Sequence, residues 1–129
     1  MLNHQNQHTE TLKARLAALE ADPQHDRQEE VEVINALAKA ARNVDAVKSQ
    51  RWSQRAYQLA TNLEPAYQSG ILHSLVNLGW ANYYLGQYDL ALQYSLDALT
   101  MAEALPMPDQ RPTILHAIGS VYYDLGDYS

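Results

Sequence analysis

The chain contains no cysteine, which excludes disulfides, thiolate metal sites and cysteine nucleophiles and suits a reducing, cytoplasmic setting. No run approaches 18 consecutive apolar residues, so no transmembrane helix is expected. The polar start "MLNHQNQHTE" lacks the basic-then-apolar layout of a secretory signal. Bases are scarce in the second half. Residues 56–129 hold seven acidic residues and only Arg111 as a base, whereas residues 1–55 balance, so the net charge of −6 lies entirely in the second half. A surface of that sign repels phosphate backbones and anionic lipid, and neither nucleic acid nor a membrane is expected as a partner. Strand signals are missing too: no isolated β-branched and aromatic run stands between turn signals. The chain also has no phosphate-cradling glycine loop with its lysine, no HExxH and no nucleophile elbow. These absences predict neither an enzyme nor a bound cofactor.

What remains is helical. At 129 residues, 47% hydrophobic and 19% charged, the chain is one domain's worth of folded protein. Leu12, Leu16 and Leu19 recur at helical spacing in a segment over 9–21, with Thr9 or Thr11 as its cap and "ADP" (21–23) as its stop. Residues 1–8 are expected to form a polar disordered tail. A second helix is expected over about 26–42, its first turn rich in acid (Glu29, Glu30, Glu32), and Asp45 offers an N-cap for a third ending near Asn62. A fourth over about 66–85 and a fifth over about 88–104 flank Gly86, which is placed to adopt a positive φ after a helix. Three prolines in "LPMPDQRP" precede a sixth over about 112–125. Six helices in three antiparallel pairs follow.

The chain repeats itself. "YYLGQYD" at 83–89 returns as "YYDLGDYS" at 122–129, and a spacing of 40 relates Gly79 to Gly119, Leu85 to Leu125, Gly86 to Gly126 and Tyr88 to Tyr128. A fixed period near 40 in an all-helical chain marks stacked helical hairpins, since one hairpin cannot bury its apolar stripe alone. Small residues at Gly79, Ala91 and Ala98 let two helices approach, with Leu75, Leu78, Tyr94 and Leu99 filling the remaining space. An earlier, weaker copy aligns Ala56–Ala60 with Ala98–Ala102 at a shift of 42 and places Leu37 where glycine is wanted.

Residues 72–129 resemble tetratricopeptide repeats. The family pattern reads here as Leu75, Leu78-Gly79, Tyr83, Gly86, Tyr88, Ala91, Tyr94 and Ala98, with Pro106 in the place of its usual proline, and again as Leu115, Ile118-Gly119, Tyr123, Gly126 and Tyr128. More diffusely, the chain is similar to the N-terminal repeat region of bacterial signalling proteins in which repeats precede a diguanylate cyclase, nucleotide cyclase or histidine kinase domain. The resemblance implies an all-α, right-handed α-solenoid: a cap helix at 9–21, a degenerate repeat at about 26–62, a repeat at about 66–104 and a half repeat at about 112–129. The second copy stops where its partner helix should begin, so the end is expected to be a cut in a longer array.

The resemblance also implies a protein-interaction or scaffold module, cytoplasmic and sensory or regulatory in role. In that family the first helix of each hairpin lines a concave groove. On this face stand His73, Asn77, Trp80, Tyr84, His116, Ser120 and Tyr123, the expected contact set for a peptide or for another part of the same chain. Aromatic side chains with a polar handle suit such a groove, although inter-repeat packing explains Tyr88 and Tyr128 better, and packing is the stronger reading for His73 and His116. His4 and His8 are four apart, but a solvated tail explains them better than a metal does. Helices 66–85 and 112–125 carry no Lys or Arg, so an acidic C-terminal tail is not the expected ligand. The alternative is a homodimerisation module with no separate ligand, built on the exposed apolar face of the last repeat.

Overall fold

The structure, a computed structural model, describes residues 4–105 and 108–126. Every regular element among them is helical: α1 (His4–Glu20), α2 (Arg27–Ala41), α3 (Ala46–Asn62), α4 (Gln68–Tyr84), α5 (Tyr88–Ala104), a 3-10 turn at Pro108–Gln110 and α6 (Arg111–Gly126). Each helix packs against the next in sequence, and α4 additionally touches α2 and α6. No described helix is long and apolar enough to cross a membrane.

The ends of these helices follow from single residues. Asp26 accepts from the backbone N–H groups of Gln28 and Glu29, and Asp45 accepts from that of Lys48. Caps of this kind contribute about 1 kcal/mol each. Gly86 takes φ +75°, the only positive φ among the described residues. Its N–H donates to the Tyr83 carbonyl at 3.0 Å, and that of Gln87 donates to Asn82 at 2.9 Å. This pair of bonds closes a helix by the Schellman arrangement.

Two differences stand out from the sequence-based expectation. First, α1 begins at His4, within the stretch expected to be a disordered tail, and Thr11 is no cap. The Thr11 hydroxyl donates back to the Gln7 carbonyl at 2.9 Å, as a threonine inside a helix does. Second, Gly126 is the last described residue of α6 and does not share the positive φ of Gly86. Tyr128 and Pro106 lie outside the described residues.

Two apolar clusters form the core. One joins Leu16 and Leu19 of α1 to Val31, Ile34 and Leu37 of α2 and to Ala56 and Ala60 of α3. The other joins Leu72, Val76 and Trp80 of α4 to Ala98 and Ala102 of α5 and to Ile114 and Ala117 of α6. Ile71 packs against both, so the apolar interior runs on through α4. Close approach is enforced at two glycines. A Cβ on Gly70 would lie 2.6 Å from Val31 Cγ1 and 2.7 Å from Tyr67 Cδ2, and one on Gly79 would lie 2.5 Å from Ser95 Oγ. Ser95, rather than Ala91 or Ala98 alone, is thus the residue that the Gly79 gap admits.

The turn before α2 is held by charge. His25 Nδ1 lies 2.5 Å from the Asp22 carbonyl oxygen and Nε2 lies 2.6 Å from Glu30 Oε1. Both partners are acceptors, so both ring nitrogens must donate, and the ring is an imidazolium. The Glu30 carboxylate, and next the Asp22 carbonyl, raise the His25 pKa above its ordinary value. Arg55 of α3 pairs with Glu20 of α1 and lies 3.7 Å from Glu30, while Arg15 pairs with Glu29.

Candidate functional site

Three helices that are not consecutive meet at α4. Asn35 of α2 is the joint between two of them. Its Nδ2 donates to the Gly70 carbonyl at 3.1 Å, and its Oδ1 accepts from Ser74 Oγ and from Asn77 Nδ2, each at 3.2 Å. Asn77 Nδ2 also lies 3.1 Å from the Asn35 backbone oxygen. Asn35, Ser74 and Asn77 are all buried, and a satisfied network of this kind fixes the approach of two helices where an unsatisfied one would destabilise it.

Above this joint lies a cleft of about 490 Å³. One wall carries Glu32 and Lys39 of α2 and Arg42 at its C-cap; the α4 side carries Ser69, His73 and Asn77; and Asp109 and Gln110 of the 3-10 turn close it with Thr113 of α6. Tyr67, before α4, donates its hydroxyl to Glu32. Burial and the Glu32 carboxylate raise the Tyr67 pKa, so the hydroxyl stays protonated. His73 Nδ1 sits 2.8 Å from the Ser69 carbonyl. Because the partner is a carbonyl, Nδ1 is the donor in this contact.

Beside the cleft, Trp80 gathers an aromatic group. Tyr84 stacks on it at 6.0 Å between centroids, Tyr83 and His116 meet it edge-on at 5.9 and 5.1 Å, and its Nε1 donates to Thr113 at 3.3 Å. The Arg42 guanidinium lies over the indole, 5.3 Å from the ring centroid, a favourable cation–π placement. Burial holds the Arg42 pKa below its ordinary value, with the nearby Tyr84 acting in the opposite direction. Among the described residues, no carboxylate lies within 4 Å of Lys39 or Arg42.

The structure sorts the expected contact residues into three groups. His73 and Asn77 line the cleft, but Asn77 is spent on the α2 joint. Trp80 is buried and serves as a platform, with Tyr84 and His116 exposed around it. Ser120 donates to the His116 carbonyl at 2.8 Å within its own helix, and Tyr123 stands 73% exposed; neither lines the cleft. Sequence reasoning missed the α2 wall. The shift of 42 that aligns Ala56 with Ala98 also aligns Asn35 with Asn77, and this was the available signal. It also missed that α2 supplies cations: α4 lacks Lys and Arg entirely, yet the cleft has both through Lys39 and Arg42. Among the described residues, no group of three or more His, Asp or Glu is placed to hold a metal ion. Comparison with protein-family models, with curated proteins and with solved structures returns no match to this chain.

Proposed function

We propose that the chain is a protein-interaction module, a right-handed stack of tetratricopeptide-type hairpins whose α2–α4–α6 cleft receives a peptide segment. Its place would be the regulatory region of a larger signalling protein. The observation that carries this reading is the cleft itself. Small-molecule sites are lined mainly by apolar and aromatic side chains with few polar groups. Here charges of both signs are fixed in the lining, Glu32 and Asp109 against Lys39 and Arg42, beside the aliphatic Ala36 and Val76. A peptide backbone, with a donor and an acceptor at every residue, matches that lining. Lys39 and Arg42 bring acidic side chains within the range of ligands, whereas the cation-free α4 alone argued against them.

The test is a peptide array probed with the full chain and with the Lys39→Glu variant. The expected result is a family of bound peptides whose signal falls about tenfold or more in the variant, since a paired cation is replaced by a repelling charge. If no peptide binds while a small molecule binds stoichiometrically in the cleft, the reading is wrong.

A further inference from the structure

The cleft is not evenly charged from end to end. Glu32 stands at one end, where its carboxylate accepts from the Tyr67 hydroxyl. Arg42 stands at the other, over the Trp80 indole. Between them Asn35 bonds to Gly70, Ser74 and Asn77. Rising numbers on α2 thus meet rising numbers on α4, and the two helices run side by side in one direction. Glu32, Asn35, Ala36, Lys39 and Arg42 all line the cleft, at the spacing of one helix face. At 1.5 Å per residue, Lys39 lies about 10 Å along the axis from Glu32, and Arg42 about 15 Å.

Among the described residues every ion pair lies outside the cleft, so no side chain of opposite sign neutralises these charges within 4 Å. The dipole of α2 favours Lys39 in its last turn. It does not account for Glu32, which lies beyond the acidic first turn of Glu29 and Glu30, nor for the seat of Arg42 on Trp80. Asp109 lines the cleft from the 3-10 turn, outside this stripe.

We infer, resting on the peptide-binding reading of the cleft, that its ligand is an extended segment carrying a base and an acid four residues apart. The base faces Glu32 and the Tyr67 hydroxyl, and the acid faces Lys39 and Arg42. An extended chain advances about 3.3 Å per residue, so a spacing of four covers about 13 Å, and an even spacing keeps both side chains on one face. That length matches the separation of the two charges along α2. A segment with two acids would bring one of them to Glu32, and a segment with two bases would bring one to Lys39 and Arg42. Like charges so placed repel. Arg42 can stay on Trp80 while it takes the carboxylate, because a guanidinium meets rings by its face and oxyanions by its edge. It is also half-buried, so its pairing is screened less than that of the exposed Lys39.

The probes are end-capped nonapeptides of Ala, Ser and Tyr whose third and seventh residues are Lys or Glu in all combinations, so that no terminal charge takes part. They are titrated against the full chain by calorimetry at about 0.15 M salt, where charges are screened beyond about 8 Å. One of the two mixed peptides should bind about fivefold or more tighter than either like-charged peptide. Glu32→Lys should reverse this order: the Glu/Glu peptide becomes the tightest, and the mixed peptide weakens about fivefold or more. Glu32 is exposed, and circular dichroism checks that the variant keeps its helices. The swap separates a local contact from the net charge of −6, which would favour the Lys/Lys peptide in both proteins. A like-charged peptide that binds the parent chain as tightly as the mixed ones, or an unchanged order in Glu32→Lys, overturns the dipolar ligand and leaves the peptide-binding reading standing. Failure of all the probes at about 1 mM, while the array binds other peptides, does the same. Failure of both overturns the two together.

Discussion

Helices α4 and α6 carry closely matching sequences, "LVNLGWANYYLG" and "LHAIGSVYYDLG", in very different surroundings. In α4, eleven residues are buried, including both glycines of the helix; in α6 only Ile114, Ala117 and Val121 are. α4 has neighbours on every side, namely α2, α3, α5 and α6, whereas α6 packs on α4, α5 and the 3-10 turn. A shared phrase therefore specifies a helix and its potential contacts, and position in the stack decides which contacts are made.

The glycines give the sharpest way to break this comparison. Gly79→Leu forces a side chain against Ser95 Oγ, which already lies 2.5 Å from where a Cβ would stand. A loss of about 3 kcal/mol or more is expected from such overpacking, read as a lower denaturation midpoint. Gly119→Leu meets nothing and removes a helix-interior glycine, so a gain of about 0.5–1 kcal/mol is expected in the isolated chain. Equal losses at the two sites would show that the α6 face is already covered in solution.

Polar positions should separate in the same direction by a smaller amount. Asn77→Leu removes both donor bonds to Asn35 in a buried setting, for an expected loss of about 1–3 kcal/mol by urea unfolding. Ser120→Ala removes one bond from a half-buried hydroxyl to its own helix and should stay within about 0.5 kcal/mol of the parent. A comparable loss at Ser120 would mean that its hydroxyl serves a contact beyond α6.

How much of this was legible in the sequence depends on the range of the interaction. Helix limits came out to within a few residues because Asp26, Asp45 and Gly86 act on their immediate neighbours. The start of α1 did not, because no breaker separates the polar opening from the leucines and the helix simply continues backward to His4. His73 was put on the groove face by the family resemblance, and it lines the cleft. The burial of Asn77 and Trp80 could not be read from one helix, because Asn35 lies over the first and Ile114 and Ala117 of α6 pack with the second, far away in sequence. The cations of the cleft were missed for a related reason: α2 has Leu37 in the glycine position, so its register with α4 was faint and its side chains were left out of the face.

The comparison extends to the two ends of the stack, with the smallest expected effect. At the α1 end, packing is joined by charge: His25 donates to both Glu30 and Asp22, and Arg55 bridges to Glu20. At the α6 end, Arg111 lies 4.0 Å from Glu103 and Tyr88 donates to Asp124 at 3.2 Å, contacts in which no histidine takes part. Because the His25 pKa is raised on folding, its contribution is fully present below the unfolded value of about 6.5 and is lost as pH rises through the folded value. The chain should therefore be less stable at about pH 8.5 than at about pH 6, and His25→Gln should flatten that dependence. Hydrogen exchange locates the effect: amides of α1 and the α1–α2 turn should exchange faster at the higher pH, beyond the base-catalysed increase seen in the His25→Gln variant. The α6 amides should follow the intrinsic rate alone. If α6 loses protection together with α1, the two ends unfold as one unit, and the histidine-held turn before α2 has no local energetic counterpart.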